Sequence, residues 1–520
     1  MAKRKKASPP RAQPELRPAA PASPRFSIPP VLQIALAALA VLLFYGTLRI
    51  TAPAPWSYDE YYHLGLAREM RSDFRIDSFH WTPFSIFHDH FADKEPLFHV
   101  LLMPFAGLPL ERAGLLGVLL GQVFLLAAFG WVLWRLRVPG AFWLVLGLAA
   151  LGPMFAFRAD MCRPHIWLIG FSLLVLGLLA AQVSWKVLVP VCALFGLAHT
   201  GGWIAIAYAA LWGIVGFLSK YQRERQLDWR PAAAAAGGWL LGQLVHPNVP
   251  ENFRLFFIQN FVVPYQSTAA GNEALRAQLG NELTRPELPI LLDQWPAFIA
   301  PALLIGFLFF QPRLRTRATL TASLVALAFL FVGTFYLRRF FELGAPLSLL
   351  ALGLVLAERR EERMPRLLPR AGAVLAALAI LIGSWHTGSV VRKQGFGTVS
   401  PPREMASWFG KNGRPGERVF TAQWADSAPL FYSAPQLQSL VVLDPTFFYA
   451  KDPELFELYA RIVQGLESDP ASIIRERFGA RWVTLWKMPV YYRFAEQLAS
   501  TPGVLTAYDD PHYLVVDLGS

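Results

Sequence analysis

The segment Pro55-Trp-Ser-Tyr-Asp-Glu-Tyr-Tyr-His63 follows the first long apolar run of the chain and contains two adjacent carboxylates, Asp59 and Glu60. The run itself, residues 31–50, is long enough to cross a bilayer as a helix. Acidic side chains are costly at the edge of the hydrocarbon layer, and those that occur there usually have a chemical or transport task. Asp59 and Glu60 are therefore the first candidates for chemistry.

A structural explanation competes for one of these carboxylates. Ser57 and Glu60 have the S-x-x-E spacing of a capping box, in which the Glu side chain reaches back to close the start of a helix, here one that runs to about Met70. Asp59 has no such role, and on that helix it shares a face with His63. Glu60 is left as either a catalytic or a capping residue.

The composition indicates a protein that crosses a membrane several times. Of 520 residues, 54% are hydrophobic and 16% charged, and apolar runs near the length of a membrane span recur along the chain. The net charge of +12 comes from Lys and Arg between those runs, as the positive-inside bias requires, so nucleic acid is excluded as a partner. The two cysteines, Cys162 and Cys192, lie in or at the end of apolar runs, which is not typical of a disulfide framework.

The chain divides into three parts by composition. Residues 1–29 are basic and rich in Pro and Ala, which predicts a disordered cytoplasmic tail. Residues 30–390 form a transmembrane module, with a first outer loop at 51–95 and a helix at 96–110 that lies along the membrane. Residues 391–520 alternate short β-rich runs, at 418–422, 439–443, 481–485 and 513–516, with helical stretches near 452–466 and 470–478, which predicts an α/β domain on the outer side.

The topology depends on residues 96–110, which are apolar but short for a span. If they do not cross, every strongly basic connection falls on the cytoplasmic side, as the positive-inside rule demands. The N-terminus is then inside and the C-terminal domain outside the plasma (inner) membrane. We therefore predict an α-helical membrane protein with eleven spans: residues 31–50, 113–134, 140–157, 165–184, 187–199, 202–219, 231–246, 291–310, 318–336, 341–357 and 370–390.

This topology collects charged and polar side chains at the outer corners. Cations on the side that the charge bias disfavours need a reason, and a lipid phosphate supplies one. For any single Arg the simpler explanation is a side chain that extends to the lipid headgroups. The candidates for substrate binding are His63, Lys94, Arg158, Arg163, His165, Arg338, Arg339 and Glu342.

A metal site is not favoured. His88 and His90 flank Asp89, with Asp93 and His99 nearby, but this spacing matches no strong ligand pattern. No Gly-rich phosphate loop, G-x-S-x-G motif or internal repeat occurs. We expect no cofactor, and no metal ligand is assigned.

Two motifs carry a resemblance to a known family. Asp59-Glu-Tyr-Tyr-His-Leu-Gly-Leu-Ala-Arg-Glu-Met70 and Asp93-Lys-Glu-Pro-Leu97 resemble the first outer loop of membrane-embedded class C glycosyltransferases of the aminoarabinose transferase and protein mannosyltransferase type. That loop begins with Asp-Glu and closes with Lys-Pro-Pro before a helix along the membrane. The likeness covers the layout of roughly residues 30–200. This chain departs from the pattern at Glu95-Pro96, where the family has two prolines, so the resemblance implies the chemistry more directly than the acceptor.

The resemblance implies inverting transfer of a sugar from a polyprenyl-phosphate carrier to a lipid, glycan or protein acceptor, as in cell-envelope glycan or lipopolysaccharide biosynthesis. By match to the motif, Asp59 is the base, Glu60 assists or caps, and Lys94 holds the phosphate. Such a transfer needs a carboxylate for the acceptor proton and cations for the charge on the departing phosphate. A non-catalytic carrier or flippase for a lipid-linked glycan is the alternative, although transporters usually place ionisable residues near the midplane and show repeats.

Overall fold

The computed structural model of the protein describes residues 28–51, 57–218, 227–268, 272–278, 280, 283–359, 367–394 and 402–519. Nearly all of the tail predicted at residues 1–29 lies outside this range. The described chain is mostly helical, with one small sheet near its C-terminus. The predicted fold class is confirmed in this coarse form.

The longer helices up to residue 394 follow the apolar runs of the sequence, since an apolar run in lipid can satisfy its backbone groups only internally, and shorter polar helices lie between them. They are α1 (Pro30–Ile50), α2 (Tyr58–Glu69), α3 (Pro96–Leu102), α4 (Leu110–Arg135), α5 (Ala141–Gly147), α6 (Pro153–Ala159), α7 (His165–Ala180), α8 (Leu188–Ala198), α9 (Ile204–Leu218), α10 (Arg230–Leu244), α11 (Glu251–Phe257), α12 (Val263–Thr268), α13 (Glu273–Gln278), α14 (Leu288–Asp293), α15 (Ile299–Phe310), α16 (Arg317–Phe335), α17 (Phe341–Glu358) and α18 (Leu367–Gln394).

Six helices among the described residues are long and apolar enough to cross a membrane, or seven if one bent pair counts as a span. The six segments are Pro30–Ile50, Leu110–Arg135, Thr200–Leu218, Arg317–Phe335, Arg338–Glu358 and Arg370–Lys393. Other predicted spans are shorter apolar helices, such as His165–Ala180 and Trp295–Phe310. The count of eleven and the sidedness stay predictions.

The run at residues 140–157 is bent rather than straight. It forms α5, a 3-10 turn that ends at Ala150, and α6, and the two helical pieces meet at 94°. Gly152 lies between them with a φ of 94°, a conformation that glycine adopts without steric cost. Pro153 then starts α6. The bend directs the end of α6, with Arg158 and Asp160, towards the first loop.

Helix α17 lies at the centre of the helical part. It is 83% buried in its most apolar window, against 22% for α1 and for α18, which lie at the periphery. Its first turn carries Glu342, which is 2% exposed. A carboxylate at the start of a helix is favoured by the helix dipole. The core of the bundle thus presents an acidic side chain at the same end as the first loop.

The C-terminal part contains one five-stranded sheet. Its strands are β1 (Arg418–Thr421), β2 (Gln438–Ser439), β3 (Trp482–Trp486), β4 (Leu505–Asp509) and β5 (Tyr513–Asp517), and its helices are α19 (Arg403–Asn412), α20 (Ser427–Ser433), α21 (Thr446–Lys451), α22 (Pro453–Val463), α23 (Pro470–Ile473) and α24 (Tyr492–Ala499). The strand order is β2-β1-β3-β5-β4, and β1 is parallel to both of its neighbours, whereas β5 is antiparallel to both of its own.

The sheet domain packs directly on the first loop. Phe431 of α20 lies against Gly65 of α2, where an added Cβ would approach its ring to 2.8 Å. The indole of Trp81 donates a hydrogen bond to the Pro435 carbonyl at 2.8 Å, and the Ser439 N–H donates to the Trp81 carbonyl at 2.8 Å. Buried aromatic side chains such as Phe431 and Trp81 contribute much of the stabilising energy of an interface. The domain therefore covers the helix that carries Asp59.

Candidate active site

Helix α2 begins after Ser57, as predicted, but the predicted capping box between Ser57 and Glu60 does not form. The Ser57 hydroxyl accepts a hydrogen bond from the Asp59 N–H at 3.2 Å, and the helix runs to Glu69 with Met70 as its C-cap. The Glu60 side chain turns away from Ser57, so the capping box does not form. Asp59 and Glu60 both lie in the first turn, where the helix dipole stabilises negative charge.

Glu60 is held in a buried ion pair with Arg49 of α1. The two nitrogens of the Arg49 guanidinium donate to the two Glu60 oxygens at 2.9 and 2.7 Å, and the Cys162 N–H donates to Glu60 Oε1 at 3.0 Å. Arg49 also donates to the Asp160 carbonyl at 2.9 Å. The Glu60 side chain is 0% exposed. Its carboxylate connects α2 to α1 through Arg49 and to the segment after α6 through the Cys162 N–H. This geometry favours a structural role for Glu60.

Asp59 faces the other way and keeps a partly open side chain. Its carboxylate accepts from the Arg163 guanidinium at 2.7 Å, and the two side chains are 15% and 18% exposed. Arg163 comes from the loop between α6 and α7, far from Asp59 in sequence. The structure thus joins a predicted base and a predicted phosphate-binding cation in one ion pair.

A second group of charges surrounds Glu342. The Arg158 Nε lies 3.2 Å from Glu342 Oε2, and the Arg339 Nε lies 3.9 Å from Glu342 Oε1. Arg158 is 7% exposed, which is uncommon for an arginine that only extends to lipid headgroups. Arg338 lies in the same 3-10 turn as Arg339, and its N–H donates to the Thr284 carbonyl at 3.1 Å. His165 is buried at the start of α7.

The two groups of charges act on the same histidine. His199 lies between α8 and the 3-10 turn that precedes α9. The positive charges of Arg339, Lys94 and Arg163 all lie close enough to His199 to act on its buried ring. Such interactions between charges are significant only over short distances. Lys94, Arg163 and Arg339 therefore converge on one region, although they come from three separate loops.

Glu95 is a buried carboxyl in the same region. Burial raises its pKa to about 7, against the lowering effects of the Lys94 and His99 charges. Its Oε2 has no hydrogen-bond partner among the residues that the structure describes. The sequence singled out Glu95 only because it replaces a proline of the family motif. A carboxyl whose pKa is raised towards neutral pH is a group able to exchange a proton.

Lys94 lies beneath the sheet domain. Its ammonium is 5.4 Å from the ring centre of Phe447 in α21, a cation–π distance. Lys94 and Asp93 also line a small cavity beside His246 and Asn252, at the start of the long segment 246–290. The Trp424 indole donates to the Gln278 carbonyl of that segment at 3.1 Å. The sheet domain and this segment therefore enclose the Lys94 side of the site.

Several solved structures are similar in fold to this chain. No protein-family model matches the sequence, and no curated protein matches it. The oligosaccharyltransferase of Archaeoglobus fulgidus in its apo form superposes with a TM-score of 0.60 at 13% identity, over 90% of this chain and 71% of that one. ArnT from Cupriavidus metallidurans in the apo state gives 0.56 at 16% identity, over 93% and 98%. The arabinofuranosyltransferase AftD from Mycobacteria gives 0.52 at 14% identity, over 95% of this chain and 42% of that one.

The chain has the fold of class C glycosyltransferases. This bears out the resemblance that the Asp59 and Lys94 motifs carry. ArnT has also been solved bound to undecaprenyl phosphate, and that structure superposes with a TM-score of 0.53 at 16% identity. At such identities the comparison establishes the fold, and the assignment of residues rests on the geometry of this chain.

Within the class C fold, the histidines of the first loop separate into different roles. His88 pairs with Asp89 at 2.6 Å and His90 lies 3.2 Å from Glu251, both near the surface. No group of three or more His, Cys, Asp or Glu side chains in the described ranges is arranged to hold a metal ion. His63 hydrogen-bonds instead to His99 at 2.8 Å, in the interior.

Sequence reasoning missed Arg49 as a member of this region. It lies in the last turn of α1, at the end that the predicted topology places outside, where the charge bias disfavours cations. That position was the available signal, because a lone Arg beside an acidic motif needs an anionic partner when buried. Asp93 was noted as the first residue of the second motif and as a metal candidate, and His99 only as a metal candidate. The structure joins both residues to His63.

Proposed function

We propose that the protein transfers a sugar from a polyprenyl-phosphate carrier to an acceptor at the outer face of the plasma (inner) membrane. The observation that carries the proposal is the Asp59–Arg163 ion pair, on a helix covered by the sheet domain of a class C fold. A base and several cations in one enclosed region match the needs of this reaction. The proposal includes the eleven-span topology, with the N-terminus in the cytoplasm and the C-terminal domain outside.

Asp59 acts as the base in this proposal. It takes the proton of the acceptor hydroxyl while that oxygen attacks the anomeric carbon of the sugar. The bond from this carbon to the phosphate oxygen breaks, and the electron pair stays on the polyprenyl phosphate. Attack from the face opposite the phosphate inverts the anomeric configuration. No cofactor takes part.

The cations hold the phosphate that departs. Lys94 and Arg163 are the first binding groups, with Arg339, Arg158 and Arg338 at the side of Glu342. A phosphate oxygen bound by Arg163 competes with the Asp59 carboxylate for the same guanidinium donors. Donor binding would therefore loosen the ion pair and leave Asp59 available to accept a proton. His165 borders this region from the start of α7.

The acceptor is a lipid, a glycan or a protein. The comparisons support a lipid carrier more directly than an acceptor class: ArnT was solved with undecaprenyl phosphate, whereas the Archaeoglobus enzyme was solved with a tethered acceptor peptide that contains an NVT sequon. Glu95 replaces a proline of the family motif and is buried next to Lys94 in the chain. In this proposal, the carboxyl group makes acceptor binding differ from that of enzymes with the proline.

The proposal is tested by transfer itself. Purified protein in lipid nanodiscs is incubated with a polyprenyl-phosphate donor whose sugar is radiolabelled. Lipid, glycan or peptide acceptors are added in separate reactions. Appearance of label in an acceptor, with release of polyprenyl phosphate, supports the proposal. Movement of an intact labelled lipid between the leaflets of a vesicle, without release of polyprenyl phosphate, would instead identify the carrier or flippase alternative.

Removal of single cations should weaken donor binding and turnover together. A phosphate contact acts in the ground state and strengthens as charge develops in the transition state, so Lys94→Ala and Arg339→Ala should raise the donor Kd and lower kcat, each by roughly tenfold or more. Lys94→Arg should recover part of the loss. The measurements are equilibrium binding of a non-hydrolysable donor analogue and initial transfer rates.

Lys411→Ala is the matched control, because Lys411 is an exposed lysine in α19 of the sheet domain. It should bind and transfer as the wild type does. If both alanine variants at the site kept normal donor affinity, Lys94 and Arg339 would be cations that serve the lipid headgroups and not the donor.

A further inference from the structure

A chain of hydrogen bonds connects the sheet domain to the first turn of α2. The hydroxyls of Tyr58 and Tyr513 lie 3.3 Å apart, and the Tyr513 hydroxyl donates to Asp426 Oδ1 at 3.1 Å. Tyr513 and Asp426 are 1% and 0% exposed. Tyr58 is the first residue of α2 and directly precedes Asp59. The chain therefore begins in the interior of the sheet domain and ends at the residue next to the proposed base.

The sheet domain holds its two members of the chain in place. Tyr513 is the first residue of β5 and is paired with Trp486 of β3, and its N–H donates to Asp510 Oδ1 at 2.6 Å. Asp426 ends the 3-10 turn that leads into α20. Because the Tyr513 hydroxyl has one proton and gives it to Asp426, its oxygen accepts from the Tyr58 hydroxyl. Tyr58 is thus bonded to a hydroxyl whose position is fixed by the sheet.

The Asp426 carboxyl is a buried group that needs this bond. Burial raises its pKa to about 8, and its charge acts on four tyrosine hydroxyls, those of Tyr58, Tyr459, Tyr491 and Tyr513. Its Oδ2 has no hydrogen-bond partner among the residues that the structure describes, so within that part of the chain the Tyr513 hydroxyl is the group that satisfies this carboxyl. Burial of a polar group costs free energy unless the group is hydrogen-bonded. The carboxyl therefore fixes the direction of the Tyr513 hydroxyl.

The first turn of α2 is also held by α1. Asp59 lies between Tyr58 and Glu60 in the chain, and the Arg49 guanidinium donates to the Glu60 carboxylate at 2.9 and 2.7 Å. The Asp59 N–H donates to the Ser57 hydroxyl. Both neighbours of Asp59 are thus tied to other parts of the protein, Glu60 to α1 and Tyr58 to the sheet domain. The position of the Asp59 backbone depends on both attachments.

We propose that Tyr58, Tyr513 and Asp426 are positioning residues of the transfer reaction, through which the sheet domain fixes the first turn of α2 and with it the Asp59 carboxylate. In this role none of the three touches the donor or the acceptor. They act through Asp59, which needs a fixed place for the attack of the acceptor hydroxyl, because a displacement of about 1 Å at a reacting group lowers a rate by up to about 10²-fold. The inference rests on the proposed function and adds to it a task for the sheet domain.

Tyr58→Phe is the first test in the transfer assay. Phenylalanine keeps the ring and loses only the hydroxyl, so kcat should fall about fivefold to tenfold, the upper part of what one hydrogen bond contributes. Donor Kd should stay within about twofold of the wild type, because the Tyr58 hydroxyl holds no phosphate. Tyr513→Phe breaks both bonds of the chain and should lower kcat by at least as much. Tyr58 is only partly buried, so its variant keeps the test available if Tyr513→Phe does not fold.

Tyr459→Phe is the matched control. Tyr459 is a tyrosine of the same domain, 1% exposed, whose hydroxyl donates to the Thr421 and Ala422 carbonyls at 3.2 and 2.9 Å. Its loss should lower the melting temperature of the protein and leave kcat unchanged, because those bonds lie within the sheet domain and do not reach α2.

A double-mutant cycle separates positioning from general destabilisation. If the chain acts through Asp59, Tyr58→Phe should not slow transfer further once Asp59→Asn has removed the base, measured as single-turnover rates. The double variant Tyr58→Phe with Tyr513→Phe should be no slower than Tyr513→Phe alone, because both substitutions remove the same bond. General damage to the fold would multiply the losses instead.

Two outcomes overturn the inference. One is normal kcat in Tyr58→Phe, and the other is a loss from Tyr58→Phe that is as large in the Asp59→Asn background as in the wild type. Neither outcome touches the proposed function if the wild type transfers sugar and Asp59→Asn is slow. Absence of transfer by the wild type, with all acceptors, would instead remove the proposed function and this inference with it.

Discussion

Asp59→Asn is expected to fold, insert and bind donor normally, and to transfer sugar about 10²- to 10⁴-fold more slowly than the wild type, the range that a positioned base contributes. The reason is chemical, because asparagine is nearly the same size as aspartate and remains polar but does not accept a proton at neutral pH. The Asp59 side chain is only 15% exposed and its partner Arg163 is 18% exposed, so the change removes one negative charge from a largely enclosed region.

The loss should appear in kcat and not in donor affinity. Arg163 loses the carboxylate that competes with phosphate for its guanidinium, so the donor Kd should be unchanged or lower in Asp59→Asn. A fall in kcat with donor affinity retained identifies an interaction made in the transition state. Single-turnover transfer rates and equilibrium binding of a donor analogue separate the two quantities.

Asp77→Asn is the control for this substitution. Asp77 lies in the same loop, but its side chain is 69% exposed and pairs with an exposed Arg75, so its loss should not change the rate. Near-normal transfer by Asp59→Asn would show that another group takes the acceptor proton. A carrier would tolerate Asp59→Asn as long as lipid binding survives, because binding is its whole task.

The local sequence predicted the start of α2 correctly, but it did not identify the residue with which Glu60 interacts. Ser57 has the side chain of an N-cap and begins the helix. Glu60 fits a capping box equally well by spacing, but the structure pairs it with Arg49 of a different helix. Sequence spacing shows which side chains share a helix face, whereas a pair between helices depends on how those helices pack.

The same limit applies to strands and bends. Strand β4 was not predicted, because Leu505–Asp509 lies at the edge of the sheet and is mostly exposed, so it lacks the alternation of a half-buried strand. The bend before α6 had a local signal, the dipeptide Gly152-Pro153, which marks turns and loops. The apolar character of residues 140–157 outweighed that signal, because hydropathy reports burial in lipid and not helix direction.

For the candidate site, the sequence indicated residue types and the structure supplied the pairs. Lys94 and Asp59 were named from the motif, and Arg163 and Arg339 from the topology. Their convergence on His199 follows only from tertiary packing. The contact of Lys94 with Phe447 joins residues more than 350 positions apart, a separation over which no sequence pattern carries information.

Arg49→Leu and Glu60→Gln are each expected to destabilise the protein by about 3–5 kcal/mol, the typical cost of leaving one charge of a buried ion pair without its partner. Arg49 and Glu60 are 6% and 0% exposed as side chains, and the pair is bidentate, so neither charge can turn to water. The measurement is the apparent melting temperature of the purified protein in detergent, together with its yield from membranes. Because Asp59 lies beside Glu60 in the first turn of α2, any transfer activity that remains should also be lower.

The double variant Arg49→Met with Glu60→Leu separates a structural role of the pair from a catalytic one. Replacing both members of a buried ion pair with apolar side chains of similar volume is often close to neutral for stability, because no charge is left unpaired. The melting temperature should therefore recover most of the loss seen in the single variants, although the Cys162 N–H loses its acceptor. If the double variant is stable and also transfers sugar, the role of Glu60 is only to hold α1 and α2 together. If it is stable and inactive, Glu60 takes part in the chemistry beside Asp59, and the burial of its carboxylate serves catalysis instead of folding.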